Sequence, residues 1–158
     1  MEEKKIEFTY KVLKTEELSA EDAHLREIVI ESTQRSYAPY SKYNVGAAVV
    51  LEGGGHVRGS NQENAAFPSG ICAESLALFS ASALFPTATL SALGVIALKD
   101  GNIQPSVSPC GGCRQVLLEA EQRQDGQDIR ILLFGRDETV IVPSVKNLLP
   151  LSFGKKNL

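Results

Sequence analysis

Three cysteines in two short segments place the strongest constraint on how this chain folds. The first segment is Cys72-Ala73-Glu74, the second runs from Pro109 to Cys113 and includes Cys110, and the chain has no other cysteine. Thiolates are common Zn2+ ligands, and a site with three protein ligands keeps an open fourth position that can hold a water. The pattern therefore predicts a fold that gathers residues 72, 110 and 113 around one zinc ion.

Each cysteine segment opens a predicted helix. Apolar residues at helical spacing follow over 72–84 and 110–122. Exposed amides and the dipole at a helix N-terminus favour negative charge, which lowers the pKa of a thiol there. Because Cys110 and Cys113 lie three residues apart on a first turn, they can chelate the same ion. Two neighbouring helices are thus expected to present their N-terminal ends to a single zinc.

Glu74 is the candidate general base. Zinc lowers the pKa of its bound water toward neutrality, and a carboxylate beside that water can take the proton and later deliver it to the substrate. The bland alternative is that Glu74 is only an acidic residue in a helix first turn, where it favours the dipole.

Other uses of the cysteines remain open at this point. A structural zinc site needs a fourth ligand, and only His24 and His56 are available. Cys110 and Cys113 also match the spacing of a thioredoxin-like redox pair. A third alternative is three buried, inert thiols.

The rest of the chain alternates between predicted helices and strands. Ser19 with Asp22 resembles a capping box ahead of a helix over 20–36. Strands are predicted over 45–51, 56–60, 93–98, 129–134 and 139–142, and 143–149 holds a short helix. This alternation indicates an α/β fold, a three-layer α/β/α sandwich with a mixed sheet of about five strands. We expect residues 1–18 to form an N-terminal arm or edge strand and residues 19–158 to form one domain.

Composition and charge exclude several classes of protein. The 158 residues are 43% hydrophobic and carry a formal net charge of −3, whereas nucleic-acid binders usually need a basic face. No apolar run approaches the roughly 20 residues of a membrane-spanning helix. The N-terminal residues lack the apolar core of a signal peptide, so we expect a cytoplasmic location with no nucleic-acid or membrane partner.

Four segments in order carry a resemblance to a known family. They are SYAPYSKYNVGAA at 36–48, NQENAA at 61–66, CAE at 72–74 and PCGGCRQ at 109–115. Together they resemble the small, homotetrameric, zinc-dependent cytidine deaminases over roughly residues 37–153. The resemblance implies hydrolytic deamination of cytidine and 2′-deoxycytidine to uridine and 2′-deoxyuridine in pyrimidine salvage. It also implies one Zn2+ per subunit, bound by Cys72, Cys110 and Cys113, with Glu74 shuttling protons.

The same resemblance implies the substrate contacts. Asn61 and Glu63 would hold ribose hydroxyls, Tyr43 would stack on the base, and the Ala73 amide would contact the pyrimidine carbonyl. Phe153 resembles a C-terminal aromatic that reaches a neighbouring subunit's pocket. Simpler roles stay open for three of these features: solvation of the loop that carries Asn61 and Glu63, a core or interface position for Tyr43, and a core or tail position for Phe153.

One position departs from the family pattern. Most tetrameric relatives carry arginine after C-A-E, where this chain has Ser75, so only Arg114 remains of two arginines that donate to the thiolates. A serine hydroxyl gives a weaker, neutral hydrogen bond. We therefore expect either a less acidic zinc-bound water or a compensating cation elsewhere.

Three competing functions remain. Ser75 gives some weight to a deaminase of a modified cytosine nucleoside of the blasticidin S type, although the motif at 61–64 favours plain cytidine. A nucleic-acid editor is disfavoured by the acidic charge. A non-catalytic, zinc-stabilised binding module would hold zinc without deaminating cytidine.

Overall fold

A seven-stranded mixed sheet forms the centre of the molecule. The computed structural model describes residues 1–158. The strands are β1 (Lys11–Lys14), β2 (Tyr43–Leu51), β3 (His56–Ser60), β4 (Leu90–Lys99), β5 (Asn102–Ile103), β6 (Arg130–Phe134) and β7 (Glu138–Val142). The helices are α1 (Ala20–Thr33), α2 (Ala73–Leu84) and α3 (Gly111–Gln122).

The sheet is covered by helices on both faces. Its strand order is β1-β7-β6-β4-β2-β3, with the short β5 paired to β4. Only β4 and β6 run parallel, and α3 lies in the crossover between them. Leu93 and Leu133 face the core beneath α2 and α3, whereas Ile96 and Leu132 face the core beneath α1. This alternation makes the predicted three-layer α/β/α sandwich, which is confirmed.

The predicted strand count was too low. The expected five strands are present, and β1 and β5 raise the total to seven. Strand β5 has only two residues, too few to show any periodicity. Strand β1 pairs antiparallel with β7, so residues 11–14 of the N-terminal segment form one edge of the sheet. None of the three helices is long and apolar enough to cross a membrane.

The predicted N-terminal cap of helix α1 is confirmed in part. The Ser19 hydroxyl accepts a hydrogen bond from the Asp22 amide, as predicted. The reciprocal half of the capping box is wrong, because the Asp22 carboxylate pairs instead with Arg130 on β6, with an N···O distance of 2.6 Å. That bidentate pair ties the first turn of α1 to the central sheet. The helix ends at Thr33, three residues before the predicted end.

A buried carboxylate anchors the C-terminal end of α3. Glu121 is 1% exposed, and its oxygens accept hydrogen bonds from the Ile129 amide, the Val145 amide and the Ser144 hydroxyl at 2.8 to 2.9 Å. The donors lie just before β6 and just after β7. Because a buried carboxylate needs such partners, Glu121 fixes α3 relative to the sheet. The other end of the same helix carries Cys110 and Cys113.

Candidate active site

The three cysteines meet where α2 and α3 begin. Cys72 is the N-cap of α2, Cys110 is the N-cap of α3, and Cys113 lies in the first turn of α3. The three sulfurs lie within 4.8 Å of one another, and the sulfurs of Cys72 and Cys110 are 4.0 Å apart. A tetrahedral zinc with Zn–S bonds of about 2.3 Å separates its sulfurs by about 3.8 Å. The donor set therefore fits one zinc ion.

The local environment favours the thiolate at Cys72 and the protonated thiol at Cys113. Cys113 is buried and acts as the hydrogen-bond donor to Cys72, which lowers the pKa of Cys72 and raises the pKa of Cys113. Burial raises the pKa of Cys113 further. The Cys110 sulfur accepts a hydrogen bond from the Cys113 amide at 3.5 Å and so caps α3. Metal binding requires the thiolate forms, and the exposed amides of two helix N-termini stabilise that charge.

Glu74 lies beside the cluster and is 6% exposed. Burial raises the pKa of its carboxyl, while its own amide and the nearby Cys113 side chain act in the opposite direction. The contact with Cys113 places the carboxyl next to the ligand cluster. Ala73 is the first residue of α2, so its amide is one of the four that lack an acceptor within the helix.

Ser75 contacts a zinc-ligand sulfur, whereas Arg114 contacts backbone carbonyls. The Ser75 hydroxyl lies 3.3 Å from the Cys113 sulfur, within hydrogen-bond reach. The structure shows no hydrogen bond from Arg114 to a cysteine sulfur, and the expectation that it donates to a thiolate stays a prediction. Its guanidinium donates instead to the carbonyls of Pro109 at 2.9 Å and Leu148 at 2.8 Å. Arg114 therefore joins the loop before Cys110 to the C-terminal segment.

A cleft of about 530 Å³ opens beside Cys72. It is lined by Tyr40, Ser41, Asn61, Gln62, Glu63, Asn64, Phe67, Gly70, Ile71 and Cys72. The cleft thus brings together two of the predicted substrate contacts, Asn61 and Glu63, and one predicted zinc ligand. Its mixture of aromatic and polar walls is typical of small-molecule sites.

Two predicted contacts lie outside this cleft lining. Tyr43 opens β2 with a half-buried ring, its pKa is raised by burial, and its carbonyl accepts a hydrogen bond from the Asn61 side chain. Phe153 is 60% exposed, and its carbonyl accepts a hydrogen bond from Gln115 at 3.1 Å. The C-terminal segment is therefore attached to α3, and the Phe153 ring projects toward solvent.

Three cleft residues that contact one another or Glu63 were not among the predicted substrate contacts. Tyr40 and Phe67 pack edge to face with ring centroids 6.1 Å apart, and Ser41 donates a hydrogen bond to Glu63. The available signal was two exposed aromatics in otherwise polar loops, Tyr40 inside the segment at 36–48 and Phe67 directly after the segment at 61–66. Because such residues touch only across loops, no periodicity reveals their partner.

Neither histidine belongs to the cysteine cluster. The group of potential ligands within 4.8 Å of one another contains the three cysteines alone. His24 and His56 instead line a separate cavity between α1 and the β2–β3 hairpin. A structural zinc site completed by a histidine is therefore ruled out by this arrangement.

Comparisons with known proteins agree with this geometry. A family model for the cytidine and deoxycytidylate deaminase zinc-binding region matches residues 19–124. Proteins named cytidine deaminase from Sporosarcina psychrophila and Halalkalibacterium halodurans are 37% and 33% identical over 128 and 129 residues. These matches cover 81% and 82% of this chain, and 88% and 91% of the two relatives.

Solved structures give the same result. The crystal structure of cytidine deaminase from Burkholderia pseudomallei is 34% identical, with a TM-score of 0.70, and the match covers 83% of this chain and 98% of that one. Cytidine deaminase from Mycobacterium tuberculosis is 29% identical, with a TM-score of 0.67, and the match covers 86% and 99% of the two chains. With the three-cysteine cluster at the predicted position, these matches show that the chain belongs to the family of zinc-dependent cytidine deaminases.

Proposed function

We propose that this enzyme hydrolyses cytidine and 2′-deoxycytidine to uridine and 2′-deoxyuridine, consuming one water and releasing ammonia. The strongest support is a single juxtaposition. The cleft that carries Asn61 and Glu63 reaches Cys72 of the zinc-ligand cluster, next to the buried Glu74. A nucleoside placed there has its sugar against the polar wall and its base toward the cluster.

Glu74 is the proposed proton carrier. Bound Zn2+ supplies a Lewis acid that lowers the pKa of a coordinated water. The Glu74 carboxylate takes the proton of the attacking water, places it on the ring nitrogen and assists departure of the amino group as ammonia. Burial raises the pKa of this carboxyl, which suits a group that must both accept and return a proton. The Ala73 amide is proposed to orient the pyrimidine carbonyl.

Ser75 and Arg114 are proposed to support the cluster in different ways. Ser75 donates to the Cys113 sulfur and limits its electron donation to the metal. Arg114 acts at a distance, because its two carbonyl contacts hold the Pro109 loop against the C-terminal segment.

Tyr43 and Phe153 complete the proposed substrate site. Tyr43 adjoins Asn61 through its carbonyl, and its ring is proposed to pack against the base. Phe153 is proposed to enter the pocket of a neighbouring copy in a homotetramer. Exposed apolar side chains in the C-terminal half of α2 support such an assembly, since Phe79 and Leu84 are 54% and 66% exposed. Light scattering of the purified protein measures the oligomeric state directly.

We propose one deaminase domain over residues 19–158, preceded by an N-terminal segment, residues 1–18, whose strand β1 joins the edge of the domain's sheet. The family model begins at residue 19, which supports this boundary. A cytoplasmic location and a place in pyrimidine salvage belong to the same proposal. Cell fractionation and growth on cytidine as the only pyrimidine source are the corresponding measurements.

A combined metal and activity assay tests the proposed reaction. The purified protein is expected to contain one zinc per chain and to release ammonia from cytidine as the ultraviolet spectrum changes to that of uridine. Glu74→Gln should keep its zinc and lose activity by a factor of about 100 or more. Bound zinc without turnover by the unmodified protein would contradict the proposal and favour a binding module. Faster turnover of blasticidin S than of cytidine would favour the alternative to which Ser75 gives weight.

A further inference from the structure

The loop at 105–109, directly before Cys110, has few hydrogen bonds of its own. Residues 105–108 neither donate nor accept a main-chain hydrogen bond. The residues on either side are held, one carbonyl by the Arg136 amide at 3.0 Å and the other by the Arg114 guanidinium at 2.9 Å. The position of residues 105–108 therefore depends on the groups that pack against them.

Two parts of the molecule contact this loop. The turn between β6 and β7 is one of them, since a Cβ atom placed on Gly135 would lie 2.6 Å from the Ser106 amide nitrogen. The loop also lines a cavity of about 410 Å³ together with the N-terminal segment, residues 1–18. The walls of this cavity include Phe8, Tyr10, Ser106, Ser108 and Arg114.

The pairing of β1 explains why two aromatic rings of the N-terminal segment lie at this cavity. Val12 is paired with Val140, which lies on the sheet face that carries α2 and α3. Residues two apart in an extended chain share a face, which agrees with the place of Tyr10 and Phe8 in the cavity wall. The two residues are 57% and 49% exposed, and their ring centroids are 6.4 Å apart. The rest of the protein thus covers about half of each.

Arg114 connects the cavity to the zinc-ligand cluster. It lines the cavity, follows Cys113 directly in α3 and donates to the carbonyl of Pro109. Pro109 is buried and directly precedes Cys110. Whatever restricts Arg114 and the loop therefore restricts the main chain that carries Cys110.

We propose that Phe8 and Tyr10 are positioning residues: their rings support the loop at 105–109 and thereby hold Cys110 in place within the zinc-ligand cluster. This inference rests on the proposed role of Cys110 as a zinc ligand. A loop with so few hydrogen bonds has little else to restrain it, and metal–ligand distances tolerate only about 0.2 Å. The family model matches residues 19–124, so both rings lie outside the matched region.

The first test measures zinc release to a chelator from the whole chain. In Phe8→Ala/Tyr10→Ala, release should be about tenfold faster, because two half-covered rings no longer pack against the loop. The exchange variant Phe8→Tyr/Tyr10→Phe keeps both rings and should stay within about twofold of the unmodified protein. Ile6→Ala is the matched control, because Ile6 belongs to the same segment, is 57% exposed and does not line the cavity. An unchanged release rate in the variant without the two rings would overturn the proposal.

The second test uses amide hydrogen exchange in the zinc-loaded protein to separate positioning from general stability. Equivalent amides close the first turns of the two ligand helices. The Arg114 amide donates to the Cys110 carbonyl at 3.0 Å. The Leu76 amide donates to the Cys72 carbonyl, also at 3.0 Å.

In the variant without the two rings, the Arg114 amide should exchange about tenfold faster and the Leu76 amide less than about twofold faster. Equal acceleration of both amides would mean that the rings only add to overall stability, and it would overturn the proposal. Neither measurement uses turnover, so failure of this inference and failure of the proposed deamination are separate outcomes.

Discussion

Gly59 on β3 controls how closely α2 approaches the sheet. A Cβ atom placed on Gly59 would lie 2.2 Å from the Ala73 carbonyl oxygen, 2.6 Å from the Ala77 amide nitrogen and 3.0 Å from the Ala77 Cβ. All three atoms belong to the first turns of α2 or to a side chain that cannot rotate away. Helix α2 can therefore occupy its position only because residue 59 has no side chain.

The Gly59→Ala variant should displace the start of α2 by about 1.2 Å. Ordinary van der Waals contact begins at 3.4 Å, and the added Cβ would stand 2.2 Å from the Ala73 oxygen, so the helix must shift by roughly that difference. Overpacking of this kind usually costs about 1–3 kcal/mol of unfolding free energy. Because metal–ligand distances tolerate only about 0.2 Å, the loss of zinc affinity should exceed the loss of stability. Cys72, directly before Ala73, is the ligand affected.

The test compares Gly59→Ala with the unmodified protein in zinc content, in the rate of zinc release to a chelator and in Tm. Gly111→Ala is the matched control, since no atom lies within 4 Å of a Cβ at that position although it adjoins Cys110. Alanine is also the stronger helix former, so the control should keep zinc and unfold no earlier than the unmodified protein. A Gly59→Ala protein with unchanged Tm and unchanged zinc release would refute the close-packing argument.

Three further outcomes follow from contacts in the same region. Glu121→Ala leaves three buried donors without an acceptor and should lower the unfolding free energy by about 3 kcal/mol or more, measured by urea denaturation, whereas Glu119→Ala on the same helix should change it by less than about 1 kcal/mol. Ser75→Ala removes a hydrogen bond to the Cys113 sulfur and should speed zinc release to a chelator by about tenfold. Exhaustive chelation of the unmodified protein should lower Tm and make the two exposed thiols, Cys72 and Cys110, titratable by a thiol reagent, with the buried Cys113 reacting more slowly; no gain in reactive thiols on chelation would contradict a shared metal site.

Local signals in the sequence were sufficient for the parts of the fold that carry the metal. The two cysteine segments were predicted to open helices, and the structure begins α2 and α3 one residue later, with Cys72 and Cys110 as N-caps. The convergence of three thiols was predicted from chemistry alone, because a zinc ion needs several ligands and the chain has no other cysteines. That prediction is confirmed by the sulfur positions.

Contacts between distant segments could not be predicted from the sequence. Asp22 was assigned to a local cap, but its partner Arg130 lies 108 residues further along the chain. Arg114 was assigned to the thiolates because of its position beside Cys113, but the carbonyl of Leu148 competes for its donors. In both cases a charged side chain has a partner in the tertiary fold that its neighbours in the sequence do not reveal.

In this structure the hydrogen bonds to the cysteine sulfurs come from a backbone amide and a serine rather than from arginine. Three thiolates on one Zn2+ leave a single negative charge, and Glu74 can add another beside it. No guanidinium donates to these sulfurs; the donors are the Ser75 hydroxyl and the Cys113 amide. Each helix N-terminus is equivalent to about half a positive charge, so α2 and α3 together supply about one. That charge belongs to the helices, so the close packing of α2 against Gly59 affects both the electrostatics and the geometry of the site. A displaced α2 should therefore weaken zinc binding in two ways: it moves a ligand, and it moves the positive end of a helix dipole.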